Sequence, residues 1–177
     1  DYSGHGGYNN ITNELFMKTA DILKMGNINQ GFWFLATCSF SHFDGGVVSA
    51  GEHAVLHPNG GAIGVLSACR TVYATQNTVL NRNLCDTLFG HSDPYTYTMT
   101  LGEATRIAKN KTGYDANKMP YILLADPALK LNYPTDLQVK TVLETDTMHA
   151  LTTQTIKGYI QTVDSDTAYW FNGKMDV

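Results

Sequence analysis

A chain of 177 residues, 43% hydrophobic and 16% charged, has enough apolar material to pack one domain, or one domain and part of a second. That balance excludes a disordered polymer. The net charge of −4 and the lack of any Lys or Arg block argue against a nucleic-acid groove. The longest apolar runs, Phe32 to Ala36 and Ala62 to Leu66, are far too short to span a bilayer, and no signal peptide is visible.

In chain order, Tyr2-Ser3-Gly4-His5-Gly6-Gly7 reads as a glycine-rich loop following a strand that ends at Tyr2. Ile11 to Met25 then spaces Ile11, Leu15, Phe16, Ile22 and Leu23 on one helical face, with Thr12 as N-cap and Gly26-Asn27 as stop. The continuous apolar run Gly31 to Thr37 predicts a strand buried on both faces. A helix from Ser49 to Leu56 ends at the breaker cluster His57-Pro58-Asn59-Gly60-Gly61, and Ala62 to Leu66 predicts a second buried strand. Two more helices are expected at Thr78 to Phe89 and Leu101 to Lys109, separated by a polar loop from Gly90 to Thr100. Tyr121 to Leu124 predicts a third buried strand. The alternation of strand and helix predicts a parallel α/β sheet.

The character changes at Tyr133-Pro134-Thr135. Thr and Val then dominate, with alternating stretches at Leu137 to Leu143, Thr155 to Val163 and Thr167 to Phe171, and turn chemistry at Asp164-Ser165-Asp166 and Asn172-Gly173. This predicts the start of an all-β module, a sandwich. Both ends read as cut. A motif begins at once after Asp1, and the run from Phe171 to Val177 stops as a new strand starts.

Chemistry in a parallel sheet gathers beyond the carboxyl ends of the strands. Cys38 stands there, after the first buried strand, and His5 stands there after the strand before it. A crossover helix between them would bring both to one sheet edge. A nucleophilic cysteine needs a neighbouring base or cation and donors for a developing oxyanion. Gly6, lacking a Cβ, lets its amide approach a substrate carbonyl, and the amide of Cys38 supplies a second donor. Cys38 alone would read as a core cysteine and His5 alone as a surface histidine. His-Gly, a helix, and an apolar strand running into Ala-Thr-Cys form a far more specific combination.

Other candidates carry less. Arg70 and Tyr73 follow the second buried strand and are candidates for a substrate pocket, Arg70 also reading as an ion-paired loop residue. Glu52 reads as a structural carboxylate near a helix start, and Asp44 as a turn or cap residue. His53 and His57 have a zinc-compatible spacing but no third ligand beyond His42 and no His-Glu-x-x-His pattern, so they read as two exposed histidines. Cys69 and Cys85 read as small buried side chains, with a disulfide between them allowed but not demanded by the spacing.

The segments Tyr2-Ser3-Gly4-His5-Gly6-Gly7, Ala36-Thr37-Cys38-Ser39-Phe40-Ser41-His42-Phe43-Asp44, Ser49-Ala50-Gly51-Glu52, Ser67-Ala68-Cys69-Arg70-Thr71-Val72-Tyr73-Ala74, Leu101-Gly102-Glu103-Ala104 and Leu124-Ala125-Asp126-Pro127 resemble the gingipain family of cysteine peptidases. Within it they are most similar to the PorU-type C-terminal signal peptidases (sortases) of the type IX secretion system. Ala125 stands where the pattern has Gly, and Cys69 where Thr is usual.

The resemblance implies a caspase-like, mostly parallel sheet flanked by helices. Residues 1–134 would be the C-terminal half of the peptidase domain, and 135–177 the start of an immunoglobulin-like domain. It implies Cys38 as nucleophile, His5 as acid/base, and an acidic partner of His5 upstream of residue 1. The activity implied is cleavage of C-terminal secretion signals through a thioester, resolved by water or by the amine of a surface glycolipid. Outer-membrane secretion components would be partners, at the cell surface or outer membrane of a Bacteroidota-type bacterium, or the protein would be secreted. Alternatives are a general secreted gingipain-like protease and a catalytically silent binding or shuttle subunit. No cofactor is required. Related secreted peptidases use calcium, but Asp93 and Asp126 sit in no calcium-loop pattern, Asp126-Pro127 reading as a turn cap.

Overall fold

A computed structural model describes residues 2–12, 16–90, 99–114, 116–132, 137–142, 157–162 and 166–169. The chain divides into two compact units, Asp1–Leu131 and Asn132–Val177. The first is built from β1 (Tyr2–Ser3), α1 (Thr19–Ile22), β2 (Gly31–Ala36), α2 (Ala50–Leu56), β3 (Ala62–Ala68), α3 (Ala74–Phe89), α4 (Leu101–Lys111) and β4 (Tyr121–Leu124). Its four strands form one sheet in the order β1-β2-β3-β4.

The strand period of two assigns alternate residues to opposite faces. Phe34, Ala36, Leu66 and Ala68 pack with Leu80, Leu84, Leu88, Ala104 and Ala108 of α3 and α4. Leu35 and Val65 point the other way, into a cluster with Ile22, Phe40, Ala50 and Ala54 of the α1–α2 side. Each fully buried Leu or Phe contributes about 1.5–3 kcal/mol, so β2 and β3, apolar on both faces, anchor the unit.

Two expectations need correction. The helix predicted over Ile11 to Met25 shrinks to Thr19–Ile22. The amide of Ile11 instead donates to the Met17 carbonyl at 2.9 Å, that of Thr19 to Asn9 at 2.9 Å, and Asn10 bridges Lys18. Phe16, counted on the helical face, is 78% exposed. Ile11 and Ile22 are both buried, Ile22 on the short α1, in the cluster with Leu35, Phe40 and Ala54. Thr12 Oγ1 accepts from the Phe16 amide at 3.2 Å. Leu15 lies outside the described residues.

The sheet is mixed, not parallel throughout. β1, β2 and β3 run parallel, whereas β4 pairs antiparallel with β3, Ala68 opposite Tyr121 and Val65 opposite Leu124. The reason is the number of crossings. One helix returns the chain to the end where a strand began, but two antiparallel helices, α3 and α4, return it to the end where β3 finished. The start of β4, not its end, therefore lies at the edge where Cys38 emerges.

Within the second unit, β5 (Leu137–Val142) and β6 (Lys157–Thr162) form an antiparallel pair, Leu137 opposite Thr162, and Gln161 bridges Thr167. The turn signals at Tyr133-Pro134-Thr135 and Asn172-Gly173, and most of the Gly90 to Thr100 loop including Asp93, lie outside the described residues. Among the described residues no helix is long and apolar enough to cross a membrane.

Candidate active site

The backbone brings the two motif residues together. Ser3 pairs with Ala36, and the Gly4 amide continues the ladder onto the Ala36 carbonyl at 3.1 Å. His5 and Cys38 each follow that pair by two residues, so they leave the sheet at equivalent positions of adjacent parallel strands, which run about 4.8 Å apart. His5 is exposed and Cys38 half-buried. A Cβ at Gly6 would lie 2.1 Å from the Ile11 carbonyl oxygen and 2.6 Å from Thr37 Oγ1. The loop therefore packs directly on the residue preceding Cys38. Among the described residues, neither the Gly6 nor the Cys38 amide donates to a protein acceptor.

Cys38 Sγ sits against one residue of the loop after β3. It lies 3.6 Å from the Val72 carbonyl oxygen and 3.5 Å from the Val72 amide nitrogen. Ser39 turns the chain with a φ of 55°. Its amide donates to the Arg70 carbonyl at 3.1 Å, and that of Ser41 to Ala68 at 3.0 Å. The segment carrying Cys38 is thereby laid along the end of β3.

Arg70 is an ion-paired loop residue. Its guanidinium forks onto both carboxylate oxygens of Asp44, 2.8 Å to Oδ1, and also donates to the Cys69 carbonyl at 2.8 Å. His42 Nε2 lies 3.5 Å from the same carboxylate. The Arg70 hydrogen bond holds Asp44 well below the ordinary carboxylate range, to about 2, and Asp44 in turn raises Arg70. Asp44, read as a turn or cap residue, is thus the partner of Arg70. Tyr73 is 61% exposed and begins α3 as its N-cap. Its backbone is held by Asn117, whose Oδ1 accepts from the Tyr73 amide at 2.9 Å and whose Nδ2 donates to the Tyr73 carbonyl at 2.7 Å.

Asn77, Asn117 and Tyr121 form a buried polar group beneath this edge that sequence reasoning missed. Tyr121 Oη donates to Asn77 Oδ1 at 2.7 Å, and Asn117 Nδ2 to the same oxygen at 2.9 Å. Burial, with Cys38 nearby, pushes the Tyr121 hydroxyl above its ordinary value, so it stays a donor. A signal existed for Asn77. It falls on the same helical stripe as Leu80, Leu84 and Leu88, where a polar residue needs a reason.

The model of peptidase family C25 matches residues 1–132. The chain belongs to that family. No curated protein matches it. Among solved structures, this C25 chain resembles the Arg-specific cysteine proteinase gingipain R at 19% identity and a TM-score of 0.63, over 80% of this chain and 35% of that one. It also resembles the complex of Porphyromonas gingivalis RgpB pro- and mature domains, at 18% identity and 0.64, over 80% and 36%. A structure described as a protease gives 12% and 0.64, over 92% and 41%. The fold is thus gingipain-like, and the chain spans little more than a third of the length of these structures.

The remaining candidates of the C25 chain have other partners. Glu52 closes a capping box with Ser49, accepting from its amide at 2.8 Å and its hydroxyl at 2.7 Å. His53 and His57 are half-buried rather than exposed, and His57 Nε2 lies 2.9 Å from the Met25 carbonyl. Asp126 accepts from the Ala128 amide at 2.8 Å, a turn at the sheet end away from Cys38. Cys69 and Cys85 are free and half-buried. Among the described residues, no group of three or more His, Cys, Asp or Glu is placed to hold a metal ion.

Proposed function

We propose that Cys38 is the nucleophile and His5 the acid/base of a peptidase acting on C-terminal secretion signals. The observation that carries this reading is the β1–β2 register, which gives His5 and Cys38 equivalent positions on adjacent strands. Cys38 Sγ gives its proton to His5 and attacks the scissile carbonyl carbon, so the S–H bond is lost and a C–S bond forms. The carbonyl oxygen becomes an oxyanion, accepting from the free amides of Gly6 and Cys38, each worth roughly 3–4 kcal/mol of barrier. As the C–N bond breaks, His5 delivers its proton to the departing amine, leaving a thioester. Water then releases a carboxylate; the amine of a surface glycolipid releases an amide instead.

The same reading makes residues 1–134 the C-terminal part of a caspase-like peptidase domain and 135–177 the start of an immunoglobulin-like one. A carboxylate elsewhere in the longer protein orients His5. Tyr73 and the Arg70–Asp44 pair line the pocket beside Cys38, and the protein works at the cell surface with outer-membrane secretion components.

The test is cleavage of a protein bearing a C-terminal secretion signal by the full-length protein, followed by mass spectrometry of the new terminus. Cys38→Ala should lower turnover by at least ~10³-fold and His5→Ala comparably. Undiminished cleavage by Cys38→Ala would remove Cys38 from the chemistry. An amine adduct on the new C-terminus supports transfer. A free carboxylate with no glycolipid adduct shows resolution by water and favours the general gingipain-like protease.

A further inference from the structure

Two peptide planes flank Cys38, and one buried polar group grips both. The plane between Val72 and Tyr73 turns its carbonyl toward Cys38 Sγ at 3.6 Å, while its N–H donates to Asn117 Oδ1 at 2.9 Å. The Asn117 hydrogen bond therefore fixes the tilt of the carbonyl facing the sulfur. On the other side, the Ala36 carbonyl, two residues before Cys38, accepts from Asn77 Nδ2 at 3.2 Å and from the Gly4 amide at 3.1 Å. Gly4 immediately precedes His5. Asn77 and Asn117 are joined at 2.9 Å, and Tyr121 closes the group from the start of β4.

All three side chains are at least 97% buried, Asn77 being 3%, Asn117 1% and Tyr121 0% exposed. The group draws on α3, the loop before β4 and β4 itself, none of which carries His5 or Cys38. An apolar set would fill this volume without desolvating two amides and a phenol. What the polar set adds is directed hydrogen bonds to the two backbone planes that frame the nucleophile.

We propose that Asn77 and Asn117, buttressed by Tyr121, are positioning residues that hold Cys38 and the His5 strand in the geometry for acyl transfer. The inference rests on Cys38 and His5 acting as proposed above. It adds that their alignment is set from beneath, through hydrogen bonds to the backbone on either side of the sulfur. Displacements of about 1 Å at a reacting centre cost on the order of 10²-fold.

The experiment compares two labels of Cys38 in the full-length protein, read by mass spectrometry. Iodoacetamide reports access to the thiol and its thiolate fraction, without alignment toward a carbonyl. A peptidyl acyloxymethyl ketone reports attack in the aligned site. Asn77→Ala and Asn117→Ala should slow ketone labelling at least tenfold while iodoacetamide labelling changes less than threefold. If both labels slow in proportion, or neither slows, the positioning role is overturned.

Should the alanine variants not fold, Asn77→Asp decides. Protonated, the introduced carboxyl still donates to the Ala36 carbonyl; ionised, it cannot. The variant's ketone rate relative to the native protein should approach unity at low pH and fall at least tenfold as pH rises. A ratio flat with pH overturns the proposal. If the ketone fails to label Cys38 in the unaltered protein, the nucleophile reading itself falls and this inference with it. If it labels there and the variants match, only the positioning role falls.

Discussion

Ser39 holds a φ of 55° immediately after Cys38, a conformation that costs a residue with a Cβ roughly 1–2 kcal/mol. The turn is retained because it lets the Ser39 amide reach the Arg70 carbonyl at 3.1 Å, which carries the chain away from β2 while leaving the Cys38 amide undonated. Gly6 shows the opposite economy, a place where any Cβ would collide with Ile11 and Thr37. Nearby, the forked Arg70–Asp44 pair makes a pH prediction. Asp44 titrates near 2 in the folded chain, below the roughly 3.9 of an unperturbed Asp. Because the folded value is depressed, the stabilisation is present in full above about pH 4 and is lost as pH falls toward 2. The pair is exposed, so the contribution is small and salt-sensitive. NMR titration of the Asp44 carboxyl should give about 2, and Arg70→Ala should return it toward the ordinary value. A carboxyl that titrates identically in both proteins would show the pair absent in solution.

At the scale of elements, α2 tests whether Glu52 is structural. Its carboxylate accepts from the Ser49 amide and hydroxyl, while the Ser49 hydroxyl accepts from the Glu52 amide at 3.4 Å. Gln can make the same capping box. Glu52→Gln should therefore keep turnover within about twofold, while Ser49→Ala should cost about 1 kcal/mol in denaturant unfolding. A large loss of turnover in Glu52→Gln, with stability unchanged, would give Glu52 a part in the chemistry. This helix was legible because Ser49 and His57-Pro58 mark its ends, and β2, β3 and β4 because short apolar runs have few alternatives. The start of α3 at Ala74 was missed by four residues because Tyr73 makes no side-chain cap. The first predicted helix failed because Asn9 to Ile11 find hydrogen-bond partners across the loop at Met17 to Thr19, which periodicity does not encode. The placement of His5 and Cys38 at one sheet edge was readable from local motifs. Asn117 was not, because its role lies in contacts to Tyr73 and Asn77, far away in sequence.

At the scale of the whole molecule, the first compact unit closes at Leu131, and the family match ends at residue 132. The last residues of that unit have a structural task. The first amides of α4 have no partner within the helix; Leu101 donates to the Leu129 carbonyl at 2.8 Å and Gly102 to Pro127 at 2.9 Å. Thr100 bridges Lys130, and Leu131 packs on the α3–α4 side of the core. A Cβ at Gly102 would fall 2.7 Å from Pro127 Cβ, so strand end and helix start are in direct contact. Among the described residues, the two hydrophobic clusters are made up of residues of this first unit. The full-length protein ended after Leu131 should therefore keep the melting temperature of its peptidase unit within a few degrees and label at Cys38 at the native rate. Ended after Leu124, it loses the partners of two helix amides, about 1–3 kcal/mol, together with the Leu131 contact. Its transition should fall by about 5–10 °C in calorimetry. Equal melting of the two truncations would mean that residues 125–131 do not hold α4 against the sheet, and that the unit closes at the end of β4 instead.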